Sequence, residues 1–151
     1  MPSAESHFAR NMLVSIHPKY ADRIVDGSKT VELRKRFVEA APSALLFIYS
    51  TKPVGAVVGC ATIRSVRRLS TRDIWRQFGQ AACITKTAFD EYFSERQHGY
   101  AIQLADVTRF CTPILIDILR ARFGFSPPQS FMYPRRELGA LLEHERLKAL
   151  N

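Results

Sequence analysis

Residues 14–36 read VSIHPKYADRIVDGSKTVELRKR, and this stretch decides the fold. It predicts a short amphipathic helix over residues 19–26, because Tyr20 and Ile24 recur at helical spacing. Gly27 follows where a C-cap glycine is expected, since glycine adopts a positive φ at little steric cost. The polar and apolar side chains after the glycine alternate, which is the period of a strand with one buried face. The stretch therefore predicts a helix, a sharp turn and a strand.

The turn and the strand carry three charged side chains, Lys29, Glu32 and Arg34. Val31 and Leu33 are predicted to enter the core. Glu32 and Arg34 should share the opposite face, because residues two apart on a strand point the same way. Paired in this way, Glu32 can orient the Arg34 guanidinium toward a phosphate or a base edge. The alternative is a surface ion pair, which contributes about 0–1 kcal/mol.

Short strands and helices alternate along the rest of the chain. Gly55 and Gly59 interrupt a β-branched run, which indicates bulges or a tight bend of the sheet. Strands mixed with segregated helices predict an α+β fold, and short bent strands that must hide their edges favour a small closed β-barrel. The predicted strands cover residues 12–16, 30–34, 43–51, 54–66, 100–107 and 109–114; the further predicted helices cover 71–78 with Thr71 as N-cap, 85–95, 116–122 and 134–150.

Charge and cysteine content restrict the function classes. The net charge of +8 and the pI of about 9.8 indicate a polyanionic partner, because each neutralised phosphate releases counterions. Cys60, Cys83 and Cys111 form no C-x-x-C pair, so neither a zinc site nor a disulfide framework is predicted. Buried, reduced thiols in a cytoplasmic protein are expected instead. No apolar run is long enough for a membrane span, and no metal or cofactor is predicted.

Two basic clusters and one strand end supply the other candidate binding residues. If the two clusters lie on neighbouring strands they form one stripe for backbone phosphates, and otherwise they are two solvated faces. Tyr49 either stacks on a base or belongs to the barrel wall. Trp75 and His17 are predicted to be structural. The first cluster is Arg34, Lys35 and Arg36, the second is Arg64, Arg67, Arg68 and Arg72, and the strand end is Tyr49, Ser50 and Thr51.

The opening stretch resembles the start of ASCH-domain proteins, a branch of the PUA-like superfamily. Their signature is a helix followed by G-x-K-x-x-E-x-R, and Gly27, Lys29, Glu32 and Arg34 fill each signature position. The segment IYSTKPVGAVVGCATI at residues 48–63 also looks like the strands that follow in the family. The tail FGFSPPQSFMY looks like an extension found in some relatives.

The resemblance implies a PUA-like barrel over residues 12–107, preceded by a flexible terminus at 1–11 and followed by a packed helical extension at 108–151. It also implies a pocket that takes RNA, in preference to DNA, or a modified nucleoside. Binding is favoured over catalysis, and no catalytic residue is assigned. The alternatives are a ribonuclease, an N4-acetylcytidine amidohydrolase and a protein-interaction or regulatory module. The amidohydrolase is disfavoured because Glu32 stands where a threonine is expected and residues 80–83 offer no glutamate.

Overall fold

The computed structural model describes residues 10–40 and 42–151. The terminus predicted to be flexible therefore lies, except for its last two residues, outside the described part of the chain. The described residues form six strands and five helices. In chain order these are β1 (Met12–Ile16), α1 (Pro18–Val25), β2 (Val31–Arg34), β3 (Leu45–Ser50), β4 (Ala56–Ser70), α2 (Thr71–Phe78), α3 (Lys86–Tyr92), β5 (His98–Leu115), α4 (Ile116–Phe123), β6 (Phe131–Met132) and α5 (Arg136–Leu150).

All six strands belong to one sheet with the order β2-β5-β4-β3-β1-β6. β1 and β3 run parallel, and the other neighbouring pairs are antiparallel. The sheet curls into a half-barrel whose edge strands are β2 and β6. The predicted α+β class and barrel-like sheet are therefore confirmed. The two longest strands, β4 and β5, are neighbours in the curled sheet.

β4 and β5 depart from the predicted boundaries because they bend without ending. The two strands predicted at residues 100–107 and 109–114 are one continuous strand, β5, which also crosses the predicted domain boundary at residue 107. Pro113 is accommodated near a register shift between Val57 and Gly59 on the partner strand, where a missing N–H costs little. Gly59 is required there, since a Cβ at this position would overlap the carbonyl oxygen of Thr108.

Helices cover the sheet on both faces. α1 closes the concave core, which is built around Ile24, Ile48 and Ile102. On the convex face, α2 and α3 pack over β2 and the first part of β5, and α4 and α5 pack over β1, β3, β4 and the last part of β5. Val31 and Leu33 are buried under α2 and α3, as predicted.

Several local predictions were wrong in detail. The N-cap of α2 is Ser70, because its hydroxyl accepts from the Asp73 N–H, so Thr71 begins the helix. Of the three thiols, Cys60 is buried, Cys83 half-buried and Cys111 exposed, so the expectation of buried thiols holds only for Cys60.

The two residues predicted to be structural have structural roles. Trp75 packs against Phe89, with ring centroids 5.2 Å apart. His17 caps α1, with Nδ1 accepting from the Lys19 N–H at 3.2 Å.

Candidate functional site

A cavity of about 280 Å³ lies between β2, the end of β1, the start of α1 and the segment around α3. We call it the Lys29 pocket. Its volume is at the lower end of the range for small-molecule sites, about 300–1,000 Å³, which suits a single ring system. Its lining residues are Ser15, Ile16, His17, Tyr20, Lys29, Glu32, Leu33, Arg34, Ile84 and Tyr92.

Lys29 is delivered to this pocket by the turn that ends α1. Gly27 has a φ of +88°, which confirms the predicted turn, and the Lys29 N–H donates to the carbonyl of Arg23 at 2.8 Å. The Lys29 ammonium is 3% exposed, donates to the Ala82 carbonyl at 2.6 Å and lies 3.7 Å from a Glu32 oxygen. Burial lowers the pKa of Lys29 from its ordinary value of 10.5, and the nearby Glu32 carboxylate opposes that shift.

Glu32 and Arg34 share one face of β2, as predicted, but that face is covered. Arg34 Nη1 lies 3.4 Å from Glu32 Oε2, and Glu32 is only 6% exposed. The surface-ion-pair alternative is therefore excluded by burial. Arg34 also donates to the carbonyls of Ser15, at 3.1 Å, and of Ser130, at 2.9 Å. Because β2 is one edge strand, while Ser15 on β1 and Ser130 just before β6 lie at the opposite end of the sheet, Arg34 bridges the two ends of the half-barrel.

Two tyrosine rings flank the charged residues. Tyr20 lies with its ring centroid 5.1 Å from the Lys29 ammonium, at a distance typical of a cation–π contact. Tyr92 donates through Oη to the Leu33 carbonyl and accepts from the Lys35 N–H, both at 3.3 Å. Burial raises the pKa of Tyr92, so its hydroxyl remains a donor at neutral pH. Aromatic walls over a polar floor suit a flat ring that can form hydrogen bonds.

A larger, basic groove of about 730 Å³ lies beside the pocket, at the mouth of the half-barrel. We call it the Arg68 groove. It contains Arg36 and Arg68, one from each predicted basic cluster, because β2 and β4 are the two neighbours of β5. The full lining is Lys35, Arg36, Phe37, Arg68, Ser94, Glu95, Arg96, Gln97, His98 and Tyr100.

The predicted second cluster does not act as one unit. Arg67 points to the opposite face of β4 from Arg68, where it donates to Gln77 at 3.0 Å and lies over the Phe78 ring. Arg64 is exposed farther along β4, beside the register shift between Ile63 and Ser65. The predicted single stripe therefore contains Arg68 but not Arg67, since adjacent strand residues alternate between faces.

The strand end at Tyr49 does not line the pocket, contrary to the prediction. Tyr49 is 3% exposed and packs on the convex side against Phe125, with ring centroids 5.8 Å apart. Ser50 is fully buried, and Thr51 is half-buried at the end of β3, where its N–H donates to the Ile16 carbonyl. The predicted base-stacking face of Tyr49 is covered because odd-numbered residues of β3 face α4 and the segment after it.

Sequence reasoning missed the residues that arrive from the segment between α3 and β5 and from the tail. Arg96 and Tyr100 line the Arg68 groove, Tyr92 walls the pocket, and the Ser130 carbonyl accepts from Arg34. The available signal was weak: an Arg-Gln-His-Gly-Tyr run just before a predicted strand. Only the pairing of β2 with β5 brings that run beside Arg34.

Comparison with known proteins identifies the family. The ASCH domain model matches residues 14–110. A relative from Zymomonas mobilis, described as an ASCH domain-containing ribonuclease, is 33% identical over 129 residues, which are 85% of this chain and 86% of the relative. The fold and the signature residues at the pocket thus define a PUA-like barrel. This chain belongs to the ASCH domain family.

Solved structures agree with this assignment. The crystal structure of ASCH from Zymomonas mobilis has a TM-score of 0.85 at 32% identity and covers 89% of this chain and 94% of that one. Crystal structures of a serine-to-alanine and of a tyrosine-to-phenylalanine variant of that protein match equally well, with TM-scores of 0.84 and 0.85. The N-terminal domain of Staphylothermus marinus McrB, at 14% identity and a TM-score of 0.56, shares the fold.

Among the described residues, no helix is both long and apolar enough to cross a membrane. Across residues 10–40 and 42–151, no group of three or more His, Cys, Asp or Glu side chains is arranged to hold a metal ion.

Proposed function

We propose that this chain binds RNA and holds one unpaired or modified base in the Lys29 pocket. The observation that carries the proposal is the buried group of Lys29, Glu32 and Arg34 at the floor of a cavity walled by Tyr20 and Tyr92. The net charge of +8 favours a polyanion. The description of the Zymomonas relative as a ribonuclease favours RNA over DNA.

The chemistry of the floor matches the edge of a nucleobase. Glu32 accepts hydrogen bonds from an exocyclic amino group, while Lys29 and Arg34 donate to ring nitrogens and carbonyl oxygens. Tyr20 and Tyr92 supply flat apolar surface at the sides, and stacking on such rings contributes about 1–3 kcal/mol per base. Because these groups are already buried and paired, a base replaces little water and finds its partners preorganised.

The test is a binding screen by fluorescence anisotropy. Labelled single-stranded RNA and DNA of one sequence, with nucleosides that include N4-acetylcytidine as competitors, are titrated against the wild type, Lys29→Met and the control Lys86→Met. Lys86 is an exposed lysine on α3 that pairs with Asp90, so both variants lose the same charge. We expect RNA to bind more tightly than DNA and Lys29→Met to weaken binding at least about tenfold more than the control. Equal losses in the two variants would overturn the pocket assignment.

RNA cleavage is a second candidate function, favoured by one specific observation. The two substituted positions in the Zymomonas variants, a tyrosine and a serine, have the same separation along the chain as Tyr49 and Ser130 have here. Ser15 on β1 pairs with Tyr49 on β3, and β1 continues toward Ser130 at its other neighbour. Tyr49 lies on the convex side against Phe125, so cleavage through this tyrosine would take place outside the Lys29 pocket.

Cleavage is tested by incubating the same RNA with the wild type, Tyr49→Phe and Ser130→Ala and separating the products by length. We expect both variants to bind RNA like the wild type and to cleave it at least about 10²-fold more slowly, as loss of a group that takes part in proton transfer does. Cleavage that is unchanged in both variants would remove these two residues from the mechanism.

The amidohydrolase alternative remains disfavoured. The segment beside Lys29 supplies the Ala82 carbonyl and the Cys83 thiol, with Glu32 as the neighbouring carboxylate. A general acid or base at the expected positions is therefore missing from this part of the described chain. Turnover of N4-acetylcytidine that disappears in Lys29→Met would contradict this.

A further inference from the structure

The Lys29 pocket and the Arg68 groove belong to one continuous surface. A connecting depression of about 340 Å³ lies between them. Arg34 and Tyr92 line both the pocket and this depression. Lys35, Arg36 and Arg96 line both the depression and the groove. A chain that places one group in the pocket can therefore continue into the groove without leaving the surface.

The groove presents positive charge that the protein leaves free. Four cationic side chains line it against one carboxylate, that of Glu95. Within residues 10–40 and 42–151, no ion pair engages the guanidinium groups of Arg36, Arg68 or Arg96. Elsewhere on the surface, by contrast, Arg76 and Arg146 are paired with carboxylates of their own helices. Free cations gathered on one concave surface suit an anionic partner with several charges.

The sheet register explains why these cations gather. Tyr100 on β5 pairs with Arg34 on β2 and with Arg68 on β4. Residues directly opposite each other share a face, so the three side chains form a row across the concave mouth. The row has a cation at each end and an aromatic ring at its centre. That order of charge and ring is how proteins hold phosphates and bases of an unpaired strand.

We propose that the Arg68 groove holds the phosphates next to the pocket-bound base, with Tyr100 as the surface for a neighbouring base. The substrate is then single-stranded RNA, and not a free nucleoside or a duplex. A paired base must be unstacked and unpaired before it enters a pocket, at a cost of a few kcal/mol, whereas an unpaired base enters directly. This inference rests on the proposed RNA-binding function and adds the substrate class and the path of the strand.

The chain provides a matched pair of variants for the test. Arg67 and Arg68 are adjacent, both exposed and on the same strand, but they point to opposite faces. Arg67→Glu and Arg68→Glu change the net charge equally, so any difference in RNA affinity between them measures the contribution of the groove. Affinity is measured for a single-stranded RNA oligonucleotide, for the same RNA as a duplex and for a nucleoside, at several salt concentrations.

We expect Arg68→Glu to weaken oligonucleotide binding at least about tenfold more than Arg67→Glu. The slope of log affinity against log salt concentration should become less steep by about 0.7, which corresponds to one lost phosphate contact. Nucleoside affinity should be the same in both variants, because a nucleoside has no phosphate for the groove to hold. Single-stranded RNA should bind more tightly than the duplex. Arg96→Glu, a second groove variant, should repeat the effect of Arg68→Glu.

The failure of this inference is distinguishable from failure of the proposed function. Equal losses of RNA affinity in Arg67→Glu and Arg68→Glu would contradict phosphate binding in the groove. A selective loss of affinity in Lys29→Met would still support base binding in the pocket. Duplex binding as tight as single-strand binding would overturn the substrate class. Absence of RNA binding by the wild type at low salt would overturn both proposals together.

Discussion

At the scale of single residues, Lys29 is the least solvated cation in the pocket. Its ammonium has one carbonyl, one carboxylate oxygen and one aromatic ring as neighbours. A buried charge is tolerated only when such partners replace water, and here the replacement is incomplete enough to lower the pKa. Lys29 is thus a residue that the fold accommodates at some cost in stability and that a ligand with hydrogen-bond acceptors would satisfy.

The lowered pKa of Lys29 predicts a pH-dependent contribution to stability. Its pKa is below 10.5 in the folded chain and near 10.5 in the unfolded chain, so between these values the unfolded state binds more protons. The free energy of unfolding of the wild type, measured relative to Lys29→Met, should therefore rise as the pH increases toward 10.5. Urea denaturation of both proteins at pH 7, 9 and 10 measures this difference. A difference that is constant over this range would show that the amine is as well solvated as in the unfolded chain.

Glu32 and Arg34 are predicted to act on the ligand as one unit. Removing Arg34 leaves the buried Glu32 with Lys29 alone, and removing Glu32 frees the guanidinium to reorient. Single and double alanine variants, first shown to be folded by circular dichroism, should give a coupling energy for RNA binding of about 0.5–3 kcal/mol. Small, strictly additive losses would mean that each side chain contacts the ligand independently.

At the scale of secondary-structure elements, the close approach of β4 and β5 depends on Gly59. A Cβ there would overlap the Thr108 carbonyl, which is backbone and cannot rotate away. We expect Gly59→Ala to destabilise the fold by about 1–3 kcal/mol. Gly139, on α5, is the control, because a Cβ there meets nothing within 4 Å, and Gly139→Ala should stabilise by about 0.5–1 kcal/mol. Thermal unfolding should show a lower melting temperature for Gly59→Ala and a higher one for Gly139→Ala than for the wild type.

Helix α5 is predicted to belong to the same cooperative unit as the barrel. Leu138 and Leu142 are buried in one cluster with Leu13 and Phe47 of β1 and β3. A chain shortened to end at Pro134 would lack Leu138 and Leu142 and would expose Leu13 and Phe47. A side chain of this kind contributes about 1.5–3 kcal/mol when it is buried. We expect the shortened chain to show no cooperative unfolding transition. A sharp transition near that of the full chain would mark the helix as a separate appendage.

The elements show which predictions from sequence succeed and where they fail. The alternation from Thr30 to Arg34 gave the right strand and the right shared face, because period two is a property of the strand itself. It could not show that Glu32 is buried, since α1 and the segment around α3 cover that face from elsewhere in the chain. Pro113 split β5 in the prediction because the register shift that accommodates it arises from the partner strand.

At the scale of the whole molecule, part of the positive charge that gives the net +8 is gathered in the Arg68 groove. Arg36, Arg68 and Arg96 converge on one groove, although they come from three separate parts of the chain. We expect RNA affinity to fall linearly with salt on a log–log plot, with a slope of about −0.7 for each phosphate contact with a single strand. Anisotropy titrations from low to moderate salt measure the slope. RNA affinity that does not change with salt concentration would contradict phosphate binding in the groove.

The assembly of the site could be predicted only in part. Lys29, Glu32 and Arg34 are close in sequence, so a local motif and strand geometry place them together. Arg96 and Tyr92 are distant in sequence, and they reach the site through the antiparallel pairing of β2 with β5. Sequence periodicity predicts which face a residue occupies but not which strand lies beside it. Arg96 and Tyr92 could therefore not be predicted as partners of the motif.

The bridge made by Arg34 limits how this protein can evolve a new ligand preference. Its guanidinium belongs to the pocket floor and also joins the two ends of the half-barrel through the Ser15 and Ser130 carbonyls. A substitution that changes the pocket at this position also removes the two hydrogen bonds that join these ends, so the two consequences cannot be inherited separately. His17 and Tyr20 line the same pocket from α1 without joining the ends. New specificities in descendants of this chain should therefore arise first on α1.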